Sequence, residues 1–561
     1  MKNSRRQVFY IVGLVPILFL LAFYVLPLGV VFEKAVQGVQ QTLQRADLLS
    51  KIGKPLGFTI YQAILSTLLT VLVGFPIAYV FTHFDFKGKK FFNMAVTLPF
   101  ILPTVVVAAA FNSLLGSHGW LNLLLMNIFN LQNPPIQWMN TLGIILLAHV
   151  FYNTSVFVRM VGAAWAQLEV QQEQAARILG ANAWQRFRRI TLPLLKPSII
   201  SALLMVFLFD FTSFGVILLL GGPAFSTLEV EIYLQTTQML DLPMAGILSM
   251  IQLVITFCIA ALTLREKKAG SIAFLPDIKN ERLQKPRTHT QKVFLAVLLV
   301  FVILFFVLPE VSLLLRSLVR LEADRTQIGQ ISTGFTLDFY KELFQNTRRS
   351  LFYVPPIQAL KNSVLYALAT TLIAGVLGVI SAYGLTRVRR TGLLRALVNL
   401  PLGTSSVTLG LGFLLTFTRL SFFQDFPQVL VPIAHSLIAL PVVISTLYPA
   451  FSAIPSNMHA AAGVLGASPI NVLIKIDLPL IRRPMLVGAL YAFILSLGEF
   501  GATSFLTRPA FPTLPVAIYR YLSLPGAMNY GQAMAMACIL MLVCAFSMFI
   551  MDKFSSQDVV S

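Results

Sequence analysis

Gln174-Ala175-Ala176-Arg177-Ile178-Leu179-Gly180 opens a stretch that closes, nine residues further on, with Ile190-Thr191-Leu192-Pro193. The same pattern returns 286 positions later as Ala460-Ala461-Ala462-Gly463-Val464-Leu465-Gly466, nine residues, Ile476-Asp477-Leu478-Pro479. The offset holds downstream, where residues 223–233 match residues 509–519 at eight of eleven positions, and upstream, where His149 pairs with His435. Three matches in one register make the chain a tandem duplication whose halves share one fold. Earlier in each half the register drifts: Gly74 and Tyr79 precede Gly378 and Tyr383 by 304 residues, and Leu98-Pro99 precedes Leu400-Pro401 by 302, so loop lengths differ there.

The composition is 57% hydrophobic and 11% charged with a mean hydropathy of +0.79, against a charged fraction of about 25% in soluble domains. This is an all-α polytopic membrane protein. Its apolar runs, roughly 20 residues each, are long enough to span a bilayer as helices. We place twelve, at about 8–32, 57–82, 92–115, 142–165, 197–221, 243–264, 292–317, 361–384, 397–418, 428–451, 485–507 and 530–551. The first follows a basic N-terminus, but it is too long for a signal peptide, contains Pro16 and Pro27 and lacks a cleavage site, so it reads as a retained anchor. Six helices per half make a parallel repeat, with halves at 1–264 and 292–561 and a polar linker at 265–291.

A net charge of +20 invites a nucleic-acid reading, but in a membrane protein the location of the charges decides. Of the 42 Lys and Arg, 27 fall on the side of the N-terminus, 14 on the other side and one, Arg159, within a helix. The side carrying Lys87, Lys89, Lys90, Arg186, Arg188, Arg189, Arg387, Arg389 and Arg390 is therefore cytoplasmic, as are both termini. No nucleic-acid partner follows. The surface partner is membrane lipid. Cys258, Cys538 and Cys544 all fall within predicted helices and form neither a disulfide framework nor a thiolate metal site.

The repeated stretch lies between the fourth and fifth helices of each half, on the cytoplasmic side. Ala175, Ala176, Ala461 and Ala462 allow close approach of another surface. Gly180 and Gly466 supply the backbone freedom for a turn, and Pro193 and Pro479 suit the first turn of the next helix. A solvated loop without a partner has no reason to keep that spacing twice while its polar residues change. No phosphate loop occurs, since Gly53-Lys54 and Gly88-Lys89 lack the earlier Gly and the hydroxyl residue. The chain carries no catalytic residues and binds no cofactor of its own.

These loops resemble the signature of the membrane subunits of ATP-binding-cassette importers, Glu-Ala-Ala, three residues, Gly, nine residues, Ile-x-Leu-Pro. The resemblance extends along nearly the whole chain twice. It is greatest to fused, double-length permeases of the iron(III) and thiamine type, through residues 147–153 (Leu-Ala-His-Val-Phe-Tyr-Asn) and 495–503 (Leu-Ser-Leu-Gly-Glu-Phe-Gly-Ala-Thr). It implies that each loop couples to one of two cytoplasmic ATPase subunits, which hold the ATP, and that an extracytoplasmic binding protein delivers the solute. The family's leading Glu is Gln174 in one copy and Ala460 in the other, which removes its charge-assisted contact.

Two acids, Asp210 and Glu499, fall within predicted fifth helices, and Glu499 aligns with Ser213. They fit either a cation path or a hydrogen-bonded structural role. His149 and His435 fit either the pore or a neighbouring helix, and with no Cys or Asp nearby in sequence they support no metal site. Phe214-Gly215 and Phe500-Gly501 lie where the halves could meet, as a gate or as packing.

The sequence thus reads as the permease subunit of an importer for a small solute; the two acids suit a cation better than sulfate or molybdate, and iron(III) ranks just ahead of thiamine, with other small solutes behind. An ion-coupled secondary transporter is the alternative, and it calls for more buried ionisable groups and no docking loop. The topology has a direct check. A cysteine placed at Ser271 should be shielded from an impermeant thiol reagent in intact cells and one at Ser332 labelled; the reverse pattern would put both loops on the wrong side.

Overall fold

A computed structural model describes residues 14–42, 48–168, 170–222, 224–266, 283–321, 334–345, 355–387 and 397–555. Ser271, Ser332, Arg389, Arg390 and most of the 265–291 linker lie outside the described residues. Apart from a two-residue ladder pairing Val319–Arg320 with Gly334–Phe335, the regular structure described is helical. Among the described residues nine helices are long and apolar enough to cross a membrane, and three bent helix pairs, each taken as one span, raise the number to twelve. All twelve spans expected from sequence have a counterpart. Their outer rows are apolar: Ile64, Leu68 and Leu72 are 49%, 60% and 70% exposed, and in the second half Leu368, Leu372 and Val376 are 55%, 69% and 51% exposed. Four-residue spacing puts each row on one helix face, which suits contact with lipid chains.

Four spans differ from the sequence expectation. The third is not one helix but two, Lys89–Ile101 and Thr104–Phe129, bent by 115°. Pro103 explains the bend, because a residue before proline is driven out of the helical region and Leu102 has ψ 137°. The ninth bends by 110° between Leu397–Gly403 and Ser406–Phe417 without a proline at the break. There Ser405, 302 residues after Pro103, is extended at ψ 145°, and its hydroxyl accepts the Thr408 N–H at 3.1 Å, starting the next helix.

The fifth and eleventh spans end early. The fifth runs Ala183–Phe211 and gives way to a separate short helix, Gly215–Leu220. The eleventh bends by 78° between Pro469–Leu480 and Arg482–Gly498, then stops before Thr503–Leu506. Pro484 lacks the N–H that would bond the Leu480 carbonyl, which accounts for the bend. The two helices stop within one residue of the same repeat position, so the interruption is a property of the fold.

Each half lends its first span to the other. The Tyr24 hydroxyl on the first span bonds the Thr404 hydroxyl of the second half. Reciprocally, Ser312 on the seventh span lies 2.8 Å from the Ser113 hydroxyl, and its carbonyl accepts from the Trp120 indole at 3.3 Å. This exchange holds the halves together while leaving their broken fifth spans facing each other.

Candidate functional site

Phe214 and Phe500, one from each interrupted span, stack on each other with ring centroids 5.4 Å apart and planes at 23°. Tyr233 lies 5.3 Å from Phe214, and its repeat equivalent Tyr519 lies 5.5 Å from Phe500, so four rings cluster where the two halves meet. Both phenylalanines are buried, at 5% and 3% exposure. The neighbouring glycines fix where the rings sit. A Cβ on Gly215 would collide with the Thr104 side chain and one on Gly501 with that of Ser406, the residues that begin the second arm of each bent span. The residues singled out as Phe-Gly pairs thus do come together, and they do so between the halves.

The histidines and acids also meet, but each within its own half. His149 Nε2 lies 2.8 Å from the Ser213 hydroxyl and Nδ1 lies 3.3 Å from Asp210 Oδ1. Asp210 Oδ1 also accepts from the Asn153 amide at 2.7 Å, and the Asp210 carbonyl from Gln62 at 2.8 Å. In the second half His435 Nδ1 lies 2.8 Å from the Ser496 hydroxyl, while Nε2 lies 2.7 Å from the Thr503 hydroxyl and 3.2 Å from Glu499 Oε2. Glu499 further accepts the N–H groups of Ala502 at 2.8 Å and Thr503 at 2.9 Å, capping the short helix beyond the break.

Two acids escaped the sequence reading. Glu310 lies within the seventh span, half-buried. Glu229, placed by sequence in a connecting segment, begins the buried helix Leu228–Thr237 at 1% exposure. Its carboxylate accepts from Ser405 of the other half at 2.8 Å and from Gln252 of its own. The same Ser405 hydroxyl starts the second arm of the ninth span, so one carboxylate ties that break to the opposite half. A sequence signal did exist: the repeat places Pro515 opposite Glu229 and Pro103 opposite Ser405, so an acid and its donor are replaced together by two prolines.

Each repeated loop is a helix, a turn and a second helix. Val170–Ile178 and Ser456–Val464 end at Gly180 and Gly466, whose φ values of 81° and 76° are left-handed. The Ala181 N–H bonds the Ala176 carbonyl and the Ala467 N–H the Ala462 carbonyl, both at 3.0 Å, closing matching glycine caps. Asn182 and Ser468, at one repeat position, cap the next helix. Pro193 and Pro479 do not begin a separate helix as expected. A wider π turn, Phe187–Thr191 or Leu473–Asp477, carries the helix into them; such a turn shifts hydrogen bonds past the missing proline N–H. Gln174, Ala175, Ala460 and Ala461 are exposed, as are Leu192, Pro193 and Pro479. Ile190, Ile476 and Leu478 are half-buried.

The loops hold their shape by a contact one residue earlier than the position of the family's Glu. Glu173 accepts from the Thr191 hydroxyl at 2.8 Å, and His459 lies 2.6 Å from Asp477 at the equivalent place. Sequence reading also passed over the apolar pairs before the glycines. Ile178 and Leu179 are both 86% exposed, and Val464 and Leu465 are 87% and 86% exposed. Two matching apolar knobs in water-exposed loops are features of an interaction surface.

A duplicated helical membrane protein, closed between its halves by aromatic rings and carrying one structured loop per half, has the architecture of a solute transporter. Residues 70–268 and 374–560 each match the family described as the binding-protein-dependent transport system inner membrane component. The chain belongs to that family and is the permease of an ATP-binding-cassette importer, a multi-pass protein of the inner membrane. It is 30% identical to the thiamine transport system permease protein of Brucella abortus over 88% of this chain and 86% of that one. The protein of the same description from Haemophilus influenzae is 26% identical, covering 98% and 97%, and that from Escherichia coli K12 is 25% identical, covering 90% and 89%. A bacterial transporter involved in import of the acidic polysaccharide alginate aligns at TM-score 0.41 and 20% identity, covering 48% of this chain and 98% of that one.

The contact between halves at Glu229 is measurable. Glu229→Ala and Ser405→Ala should each destabilise the detergent-solubilised protein by about 1.5–3 kcal/mol, the range for a hydrogen bond to a charged group. The double variant should lose less than the sum of the two, because they share one contact while Glu229 also holds Gln252 and Ser405 also caps Thr408. Additive losses would show that the two side chains act independently.

Proposed function

We propose that the protein moves thiamine across the inner membrane between the two halves, past the ring cluster of Tyr233, Phe214, Phe500 and Tyr519, with 1–264 and 292–561 as the moving units and 265–291 as their linker. The observation that carries the reading is the stacked Phe214–Phe500 pair between the two halves, where parting would open a passage lined by aromatic faces. Such faces suit a flat aromatic cation, because π systems attract cations lying over them. The descriptions of the relatives from Brucella, Haemophilus and Escherichia favour thiamine over iron(III). Asp210 and Glu499, engaged by hydrogen bonds inside their own halves, supply little reason to prefer a metal cation.

Both termini and both loops face the cytoplasm in this reading, where two ATPase subunits hold the ATP. One docks on Ile178, Leu179 and Trp184 of the first loop, the other on Val464, Leu465 and Ile470 of the second. These residues share repeat positions and are exposed in both copies. An extracytoplasmic binding protein supplies thiamine, so the permease needs little affinity of its own.

The test is uptake of labelled thiamine and of labelled iron(III) in cells that also produce the cognate ATPase and binding protein. Thiamine should accumulate and iron should not. Gly180→Val and Gly466→Val should each lower thiamine uptake about tenfold and reduce ATPase co-purification while insertion stays normal, because a β-branched residue in left-handed backbone costs roughly 1–2 kcal/mol or more. Iron uptake without thiamine uptake would overturn the substrate, and full activity with undiminished ATPase yield in both variants would overturn the docking role.

A further inference from the structure

The two histidine sites are built on one plan with one exchange. Repeat positions 210 and 496 are Asp and Ser, and positions 213 and 499 are Ser and Glu. Each fourth-span histidine is therefore bracketed by one carboxylate and one hydroxyl from the interrupted span, but in opposite order. In the first half the hydroxyl bonds Nε2 at 2.8 Å, and the acid lies 3.3 Å from Nδ1 without a hydrogen bond to it. In the second the Ser496 hydroxyl bonds Nδ1 at 2.8 Å, and Nε2 bonds the Thr503 hydroxyl at 2.7 Å with the acid beside it at 3.2 Å.

The donors around each acid move with it. Asn153 donates to Asp210, and its repeat position is Ala439, where no acid needs it. Thr503 serves Glu499, and its repeat position is Ile217. Either nitrogen of a neutral imidazole can carry the proton, so the ring can donate to an acid on either side and accept from a hydroxyl on the other. Positions 210 and 496 lie in the last turn of their helices and positions 213 and 499 just beyond the break, all within reach of the histidine of their half.

We propose that Asp210 and Glu499 are positioning residues: each holds its interrupted span against the fourth span of its half, Asp210 through the Asn153 amide and Glu499 beside His435, and so sets the height of Phe214 or Phe500, and the clamp works with its acid at either position. Glu499 adjoins Phe500, and Ser213 adjoins Phe214. A span that loses its clamp can slide along the fourth span, and its ring then leaves the stacked pair. A cation-binding role predicts something different, since a site on a path depends on where the charge stands.

The inference rests on the transport reading above, and moving the acid tests it. Asp210→Ser should lower the maximal thiamine uptake rate about tenfold or more, as expected for a lost hydrogen bond to a charged group, with the KM for loaded binding protein unchanged. The triple variant Asp210→Ser, Asn153→Ala, Ser213→Glu places the acid where the second half carries it and should recover uptake to within about threefold of wild type. If Asp210→Ser fails to reach the membrane, Asp210→Ala, which removes the acceptor oxygens, replaces it as the single variant. Normal uptake by the single variant would overturn the clamp. So would a triple variant that is no more active than the single one, or that is missing from the membrane. Stimulation of ATP hydrolysis by loaded binding protein is read in the same preparations. Absence of thiamine uptake in the wild type would fault the substrate and leave the clamp to be judged on stimulated hydrolysis.

Discussion

A helix that stops within the apolar interior must satisfy its freed backbone from the protein, because lipid offers no hydrogen bonds. The fifth and eleventh spans both stop in this way, at Phe211 and Gly498, and much of the surrounding chemistry answers that requirement. Glu499 caps the two N–H groups beyond one break. Gln62 bonds the Asp210 carbonyl beside the other, and the Thr59 and Ser363 hydroxyls accept the Leu228 and Leu514 N–H groups where the chain resumes. A continuous helix would carry its side chains past the midline in a fixed spiral. The break instead turns Phe214 and Phe500 toward each other.

The duplication has kept the backbone solution and changed the side chains that carry it out. A proline bends the third span and a serine cap the ninth. The serine then receives Glu229 from the opposite half, while the proline side has Pro515 at the matching place. In the loops, an acid on the first helix meets Thr191 in one copy, whereas in the other the acid is Asp477 and the first helix supplies His459. Acids change sides across conserved contacts because a hydrogen bond needs one donor and one acceptor, and either partner can be the acceptor. The halves are thus alike in shape and unlike in charge, which allows two equal movements to be held by different bonds.

Much of this was legible in the sequence. Spacing gave the duplication, hydropathy gave the twelve spans, and the fixed glycine with Ile-x-Leu-Pro marked the loops. Hydropathy cannot report a bend, so the third and ninth spans read as straight even though Pro103 was visible. The Ser405 break was harder still, since a serine inside an apolar run does not by itself mark the start of a helix. Glu229 lies outside the apolar runs, so hydropathy gives no sign that its helix is buried. In the loops, attention to small residues and glycine hid the exposed pairs Ile178-Leu179 and Val464-Leu465, whose meaning depends on burial rather than on pattern.

The central claim is that the Phe214–Phe500 contact parts during transport. It is tested most directly by joining those positions reversibly. In a background lacking Cys258, Cys538 and Cys544, Phe214→Cys and Phe500→Cys are bridged with a short, reducible bifunctional thiol reagent, and thiamine uptake is measured before bridging, after it and after reduction. The account predicts that uptake stops when the halves are bridged and returns on reduction, with bridging suppressed while the ATPases are trapped with ATP. Uptake that continues at the unbridged rate through a fully cross-linked population would contradict it.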